Sequence, residues 1–477
     1  MKLALLAIAA ASALLFSPAA LVAADTAAKK PNVLFIAIDD LNHWVGHLGR
    51  NPQTKTPNID RLAKLGVTFT KAYCTAPSCN PSRASLMTGL RPSSTGCYNN
   101  NQDWRAGQTD DKTLNAHFAR NGYRVSGAGK IYHSMMRKGE WTDYFAEKPV
   151  KAVMHPSAKD NGLPFLRFGP LANPDDEMPD YRVTSYCIEK MKEPGDKPWF
   201  IACGLIKPHL DWLVPKKWFD LFPLESIELP PHREDDLADI PPAGVQMALK
   251  AGDHAKVIES GRWKETVQAY LATIAFCDAQ VGRLLDALEA SPQRDNTLVC
   301  LWSDHGWSLG EKQHWRKFAL WEEPTRTVFT WKVPGLTQPG GVCGRTVDFS
   351  SVFPTLCATT GLPLPAHLEG RDISPLLKNP QAAWAHPAIT TWGWNNHAIR
   401  TEGWRYIRYA QGEEELYDET ADPLEYTNLA SNPEHAARKA ELAKFLPTKN
   451  AKDLPVQKGG DGEDEGGNKK AKAKNAK

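Results

Sequence analysis

Three aspartates stand at positions where the chain could hold a metal ion. Asp39 and Asp40 directly follow one apolar run, and Asp304 follows another. Two adjacent carboxylates cannot both be buried as bare charges, because an unpaired buried charge is costly and a like charge beside it adds to the cost. Oxygen-rich ligation suits a hard divalent cation such as calcium or magnesium. An Asp-Asp pair after a strand is also a common helix-start feature, so the pair alone leaves both interpretations open.

The segment from Cys79 to Leu90 is the most informative part of the chain. It reads Cys-Asn-Pro-Ser-Arg-Ala-Ser-Leu-Met-Thr-Gly-Leu and resembles the sulfatase signature. In that family a maturation enzyme reads Cys-x-Pro-Ser-Arg in the unfolded chain and oxidises the cysteine to formylglycine, whose hydrated aldehyde is the nucleophile. A helix-start cysteine with an early proline is the structural alternative. The extended pattern with Thr-Gly is much rarer than Cys-x-Pro-x-Arg alone, and it favours the family.

The resemblance also implies a ligand set for calcium. In sulfatases the ion is bound by the two N-terminal aspartates, by a downstream aspartate and by its neighbour. In this chain those residues are Asp39, Asp40, Asp304 and His305, and the formylglycine oxygen at position 79 completes the shell.

Further site residues follow from the same resemblance. Arg83 and Lys130 would stabilise the formylglycine hydrate, and His133 would be the base that breaks the hemiacetal after sulfate transfer. A gem-diol nucleophile needs cationic donors and a base that titrates near neutral pH, so these residue types fit the chemistry. Lys130 and His133 would share one face if their segment is helical. Outside the family, a Lys-x-x-His pair is usually a solvated surface feature.

Two more cationic residues complete the predicted site. His209, in Lys207-Pro208-His209, follows an apolar strand that the proline cannot extend, and it matches a family histidine that contacts the sulfate or the leaving oxygen. The next residues, Leu210-Asp211-Trp212, depart from the family's usual continuation, which leaves the adjacent substrate pocket open. Lys317 lies thirteen positions after Asp304 in a block that closely resembles the iduronate-2-sulfatase-like branch. It would bridge the nucleophile and a sulfate oxygen, neutralising charge that grows in the transition state.

The elements that must position these residues are predicted to be α/β. Asn32–Ile38 and Thr297–Trp302 are apolar runs typical of strands buried on both faces. A helix before the second run carries apolar residues on roughly one face. Strands alternating with helices indicate a largely parallel sheet, in which ligands bind beyond the carboxyl ends of the strands. We therefore expect a large mixed, mostly parallel sheet sandwiched by helices, with a smaller C-terminal α+β subdomain carrying an antiparallel sheet.

The chain divides into four predicted segments. Residues 1–24 resemble a secretory signal peptide, and residues 31–377 form the catalytic domain. Residues 378–446, rich in Trp and Tyr, form the C-terminal subdomain. Residues 447–477 are Lys, Gly, Asp and Glu with almost no large apolar residues, which predicts a disordered tail.

Composition limits the partners and the compartment. The 477 residues include 57 basic and 55 acidic ones, a net charge of +2, which gives no electrostatic case for nucleic acid or a membrane surface. No later segment approaches the ~20 apolar residues of a membrane span. We therefore expect an exported protein, periplasmic or secreted. The nine cysteines permit disulfides there, but several lie in apolar runs and are better interpreted as buried hydrophobes, so we expect one disulfide or none.

The resemblance to sulfatases implies a calcium-dependent hydrolase of sulfate esters, with a sulfated saccharide as substrate and a formylglycine-generating enzyme as maturation partner. Two alternatives stay open, namely a phosphonate or phosphate monoester hydrolase of the same superfamily and a catalytically silent sulfoglycan-binding protein. Candidate pocket walls are Trp44, Trp104, Asp211, Trp212, Trp315 and Trp392, although core packing explains a Trp more often than sugar stacking does.

Overall fold

The computed structural model describes residues 29–106, 112–133, 137–158 and 162–457, so the predicted signal peptide lies outside the described residues. The largest element of the described chain is an eight-stranded sheet. Its strands, in spatial order, are β13 (Gly341–Asp348), β2 (Val67–Tyr73), β12 (Phe329–Lys332), β9 (Thr297–Ser303), β1 (Asn32–Ile38), β7 (Trp199–Leu205), β3 (Arg124–Gly129) and β4 (Asp143–Phe145).

The sheet is mostly parallel. β1 runs parallel to β7 and β9, with Ile36 opposite Cys203 and Leu301. Within the sheet, β12 runs antiparallel to both of its neighbours, β9 and β2, while the other pairings are parallel. The predicted mixed, mostly parallel sheet is confirmed.

Helices cover both faces of the sheet. The α-helices of the described residues are α1 (Pro57–Leu65), α2 (Cys79–Thr88), α3 (Pro92–Thr95), α4 (Leu114–Arg120), α5 (Pro179–Lys192), α6 (Lys216–Phe219), α7 (Pro242–Leu249), α8 (Asp253–Ser260), α9 (Trp263–Glu289), α10 (Glu322–Thr325), α11 (Val352–Thr360), α12 (Ser374–Lys378) and α13 (Ala436–Ala443). Alternate residues of β1 enter opposite cores. Leu34 and Ile36 pack in the cluster that holds α5 and α9 side chains, whereas Val33 and Phe35 pack with α4 and α11. This alternation is what a strand buried on both faces requires.

The C-terminal subdomain carries a four-stranded antiparallel sheet, as predicted. Its strands are β14 (Ala388–Thr391), β15 (His397–Arg400), β16 (Trp404–Arg408) and β17 (Glu414–Asp418). Two small sheets flank the main one in the described chain: β5 (Gly162–Leu163), β6 (Leu166–Leu171) and β8 (Trp212–Pro215), and the pair β10 (Ser308–Leu309) and β11 (Trp315–Arg316).

The end of the chain differs from the prediction of disorder from residue 447 onward. Residues 451–457, which we call the C-terminal strap, run along residues 93–103. Backbone N–H groups of Ala451 and Leu454 donate to the carbonyls of Ser93 and Gly96 at 2.8 and 3.0 Å. Sequence composition missed this because the strap is held mainly by backbone pairing and by Gln102, with Leu454 as its one large apolar side chain packed against the core. Residues 458–477, the rest of the predicted tail, lie outside the described residues.

Two further expectations concern membranes and cysteines. Among the described residues, no helix combines the length and the apolar character that crossing a bilayer requires. All nine cysteines are buried and free, which agrees with their interpretation as small buried side chains.

Candidate active site

The two N-terminal aspartates lie at the carboxyl end of β1, where the site is built. Asp39 and Asp40 are fully buried. Asp40 has a φ of +60°, a left-handed conformation that Asp adopts more readily than most residues. Its backbone is fixed on both sides, because its N–H donates to Asp304 Oδ1 at 3.1 Å and its carbonyl accepts from the Tyr270 hydroxyl at 2.7 Å.

Cys79 is the first residue of α2, and every residue of that helix is buried. The side chain of Asn100 fixes the start of the helix: its Oδ1 accepts from Ser78 Oγ and from the Asn80 N–H, each at 2.8 Å. Cys79 is therefore held at a helix N-terminus, where the aligned backbone dipoles favour negative charge.

Lys317 and His305 contact Cys79 directly. Lys317 Nζ lies 2.9 Å from Cys79 Sγ and 3.1 Å from Asp40 Oδ1. His305 Nε2 lies 3.3 Å from the same sulfur. Lys317 stands between two non-glycine residues of positive φ, Arg316 at +74° and Phe318 at +77°. Strained backbone of this kind persists where the surroundings over-determine it, and it clusters at functional sites.

Arg83 and Lys130 bind the carboxylates on the other side of Cys79. Arg83 Nη2 lies 3.1 Å from Asp39 Oδ1 and its Nε lies 2.8 Å from Asp304 Oδ2. Lys130 Nζ lies 2.6 Å from Asp39 Oδ2.

The ends of β3 and β7 approach each other closely, and this approach directs Lys130 towards the site. Its N–H donates to the Gly204 carbonyl at 3.0 Å. A Cβ on Gly204 would lie 2.4 Å from the carbonyl carbon of Lys130, so the approach requires glycine at this position.

His209 lies at the edge of the site, where Nε2 is 3.8 Å from Asp40 Oδ2. The loop that carries it is fixed by Asp180, whose two carboxylate oxygens accept from the N–H groups of Ile206 and Lys207 at 2.8 Å. Lys207 Nζ donates in turn to the His209 carbonyl at 3.2 Å.

The surrounding charges determine the protonation of these groups. Burial raises the pKa of the Cys79 thiol, but Lys130 and Lys317 outweigh it and hold that pKa well below its ordinary value. Burial lowers the pKa of His209, yet the attraction of Asp40 leaves it well above its ordinary value. The site therefore stabilises an anion at position 79 and a proton on His209.

The residues present fit a divalent cation. Ligand atoms of Asp39, Asp40, Cys79 and His305 all lie within 4.8 Å of one another. Asp40 Oδ2 is a buried oxygen that accepts no hydrogen bond, and burial raises the pKa of Asp40 even though Lys317 opposes it. A buried carboxylate oxygen without a hydrogen-bond donor has its lone pairs available for a cation. With sulfur at position 79 the donor set is mixed, and an oxygen there makes it harder and more suitable for calcium.

The structure brings together eight of the predicted site residues through direct contacts, namely Asp39, Asp40, Cys79, Arg83, Lys130, Asp304, His305 and Lys317, and places His209 at their edge. Asp304 binds Arg83 and the backbone N–H groups of Asp40 and His305 and lies outside the group of four ligand atoms, so its role as a metal ligand stays a prediction.

His133 lies three residues beyond Lys130, but the segment between them is not helical. The shared helix face that the spacing suggested is therefore wrong. The role of His133 stays a prediction.

Sequence reasoning missed three residues that position the site, Asn100, Asp180 and Tyr270, and it assigned no role to Lys207. Tyr270 lies among apolar residues of α9, so its spacing is that of a packing residue. The Asn99-Asn100-Asn101 run was a usable signal, since consecutive amides are well suited to bonding a loop.

The predicted pocket walls divide into two sets. Trp44, Trp104 and Trp212, like Trp315, are buried in the core clusters, and their role as pocket walls stays a prediction, as does that of Asp211, which lines another cavity. Trp315 and Trp392 line a cavity beside the site.

Comparisons with known proteins agree with this geometry. Residues 31–362 match the family model described as Sulfatase, and residues 310–452 match that of the C-terminal part of N-sulphoglucosamine sulphohydrolase. A "Sulfatase" of Formosa agariphila is 39% identical over 445 residues, covering 88% of this chain and 87% of that protein. Iduronate 2-sulfatase of Homo sapiens is 31% identical over 387 residues, 70% of each chain.

Among solved structures, phosphonate monoester hydrolase of Agrobacterium radiobacter superposes with a TM-score of 0.75 at 22% identity, covering 87% of this chain and 95% of that one. That likeness describes the fold. The family model and the relatives above 30% identity describe more than the fold: this chain belongs to the sulfatase family and is a sulfuric ester hydrolase.

Proposed function

We propose that the protein hydrolyses sulfate esters of saccharides, using a formylglycine formed from Cys79 and a bound calcium ion. The observation that carries the proposal is the contact of Lys317 with both Cys79 and Asp40 inside a buried cluster of carboxylates and cations. When mature, position 79 supplies a hydrated aldehyde as nucleophile, and the cation supplies positive charge to the sulfate oxygens.

The side chains of the site have distinct parts in this reaction. Lys317 and Lys130 are ammonium groups beside position 79 and stabilise negative charge that develops there. Arg83 binds Asp39 and Asp304 at once and so fixes the carboxylates that would hold the ion. His209, whose pKa is raised beside Asp40, holds a proton that it can donate to the leaving alcohol. His133 is the proposed base of the second step.

A saccharide is favoured as substrate by the iduronate 2-sulfatase relatives, whose name identifies a sulfated sugar. We further propose that the protein is exported, that Cys79 is matured by a formylglycine-generating enzyme, and that residues 31–377 form the catalytic domain. The filled set of site residues disfavours a silent binding protein.

The test is sulfate release from a panel of sulfated saccharides, using protein co-expressed with a formylglycine-generating enzyme. We expect release by the wild type and none by Cys79→Ala. The matched control is Cys357→Ala, which removes a buried thiol from α11 and should retain activity. Equal release by wild type and Cys79→Ala would contradict the proposal. Faster hydrolysis of 4-nitrophenyl phosphate than of 4-nitrophenyl sulfate would favour the phosphoester alternative.

A further inference from the structure

A cavity of about 290 Å³ lies beside the loop that carries Lys317. We call it the side pocket and define it by six lining residues: Gln246, Trp315, Phe318, Trp392, Tyr409 and Gln411. Its volume is at the lower end of the range for small-molecule sites. None of these residues belongs to the catalytic cluster described above.

The wall of the side pocket begins next to the nucleophile. The Phe318 ring centroid lies 5.6 Å from Lys317 Nζ, and that nitrogen lies 2.9 Å from Cys79 Sγ. On its other side Phe318 stacks on Trp392, with ring centroids 5.1 Å apart and an angle of 29° between the planes. The two stacked rings, each with one face covered by the other, form the aromatic wall of the side pocket.

Both parts of this wall are anchored to the segment before the nucleophile. The Phe318 N–H donates to the Pro77 carbonyl at 3.0 Å, and the Thr391 N–H donates to the Thr75 carbonyl at 2.9 Å. The aromatic wall is therefore held at a fixed distance from Cys79. A fixed pocket reduces the ordering cost of binding, which is the benefit of preorganisation.

The lining chemistry suits a sugar. Aromatic faces pack on the C–H groups of a pyranose ring, and amide side chains both donate to and accept from hydroxyl groups. Gln246 and Gln411 supply such amides on the lining, and both are exposed. Among the charged lining residues, Arg316 is held by Asp253, with Nε 2.6 Å from Oδ2, so that pair is already neutralised.

We propose that the side pocket binds the pyranose ring that carries the sulfate ester, with Phe318 and Trp392 against the ring and Gln246 and Gln411 at its hydroxyls. This inference rests on the proposed function, since the pocket is placed by its distance from the sulfatase nucleophile. It identifies the side pocket as the part of the protein that recognises the alcohol portion of the substrate, which is the sugar to which the sulfate is esterified.

The test compares two substrates of matured enzyme. One is a disaccharide with a 2-O-sulfated uronate at its non-reducing end, and the other is 4-nitrophenyl sulfate, which has no sugar. We expect Trp392→Ala to lower kcat/KM for the disaccharide about tenfold more than for the aryl sulfate. Gln246→Ala and Gln411→Ala, at exposed positions that tolerate substitution, should raise KM for the disaccharide more than they lower kcat.

Trp394→Ala is the matched control. Trp394 lies on the same turn as Trp392, but it is 49% exposed and is not part of the pocket lining. We expect Trp394→Ala to have the same ratio of kcat/KM for the disaccharide to kcat/KM for the aryl sulfate as the wild type.

The possible outcomes distinguish a failure of the side-pocket proposal from a failure of the proposed sulfatase reaction. One outcome is the same ratio of kcat/KM for the disaccharide to kcat/KM for the aryl sulfate in the wild type, Trp392→Ala and the glutamine variants. That result would overturn the side-pocket proposal and leave the sulfatase reaction intact. So would wild-type activity on the aryl sulfate with none on the disaccharide. Absence of activity on both substrates would contradict the proposed function. Calorimetric titration with the desulfated disaccharide then tests the side pocket alone. Binding that Trp392→Ala leaves unchanged would overturn the side-pocket proposal.

Discussion

Cys79 is surrounded by charges of both signs, and their balance determines what the site can bind. Three carboxylates, Asp39, Asp40 and Asp304, face the cations Arg83, Lys130 and Lys317. A divalent cation added to this balanced set makes the site positive, which favours an anionic ester over a neutral one. With a cation bound, the charges of the site therefore account for the negative charge of the substrate.

Lys317→Ala tests the role of the ammonium beside position 79. We expect kcat to fall by about 10²–10³-fold, the range for removing one donor to developing negative charge, with a smaller change in KM. Steady-state kinetics on 4-nitrophenyl sulfate measure this, and Lys264→Ala, at an exposed position of α9, serves as the surface control. A kcat close to that of the control would exclude Lys317 from the reaction.

Calcium binding should stabilise the fold, because the ion relieves the repulsion between Asp39 and Asp40. At a free concentration of 100 times Kd, a ligand adds about 2.7 kcal/mol to the free energy of unfolding. We expect calcium to raise Tm after chelator treatment, and Asp40→Asn to lose most of that rise, while Asp295→Asn at an exposed position keeps it. A Tm that calcium leaves unchanged, or a larger rise with zinc, would contradict calcium as the resident ion.

The residues of the site were largely predictable, because signature residues are read directly from the chain. Asp39, Asp40, Cys79, Arg83 and Lys317 were named from sequence and lie in contact. The residues that hold them were not predictable in the same way. A tyrosine or amide that bonds a backbone group, such as Tyr270 or Asn100, has no spacing pattern that distinguishes it from a packing residue.

At the scale of elements, the C-terminal strap supports the loop that holds the start of α2. Gln102 is central to this support: its Oε1 accepts from the Asn99 N–H at 2.8 Å and its Nε2 donates to Asp453 Oδ1 at 2.9 Å. Its carbonyl accepts from Asn80 Nδ2 at 2.8 Å. The strap is thus connected through one residue to the neighbour of Cys79.

Truncation after Asn450 should destabilise the protein and slow catalysis. It removes the backbone pairing of residues 451–457 and the Asp453 partner of Gln102. These are four backbone hydrogen bonds and one side-chain bond. At about 1 kcal/mol for each, we expect a loss of about 5 kcal/mol in the free energy of unfolding, measured by urea denaturation, with a lower kcat. Truncation after Gln457 is the control and should change neither quantity. If both truncations behave alike, the strap has no supporting role.

The strands that carry the site were predictable from composition, and the order of the sheet was not. The runs at β1, β7 and β9 are continuous and apolar because both faces of these strands are buried. The reversed direction of β12 depends on long-range pairing with β2 and β9. Local sequence contains no information about which distant strand will be the partner.

At the scale of the whole molecule, Arg405 connects the C-terminal sheet to the loop that follows Lys317. It is fully buried on β16 and pairs with Glu322, Glu419 and Glu425. It also donates to the Leu320 carbonyl at 2.9 Å, three residues after Lys317. The C-terminal sheet therefore supports the loop that places Lys317 in the site.

Arg405→Leu should be strongly destabilising, because it removes the cation that pairs with the buried Glu425 and one of the cations of Glu322 and Glu419, which still pair with Arg400. Removing one partner of a buried ion pair costs about 3–5 kcal/mol, and we expect a loss of that size in chemical denaturation. Arg408→Leu, three positions along the same strand and only half-buried, should cost far less. Equal losses for the two variants would show that the pairing with Glu322, Glu419 and Glu425 contributes nothing specific.

The most direct test of the account is the rate of sulfate release measured against the fraction of Cys79 that has been converted to formylglycine. Preparations made with graded amounts of maturation enzyme supply the range, and mass spectrometry of the peptide that contains Cys79 gives the fraction. The account predicts a rate proportional to that fraction and no release when the fraction is zero. A rate that is independent of conversion would contradict the assignment of position 79 as the nucleophile.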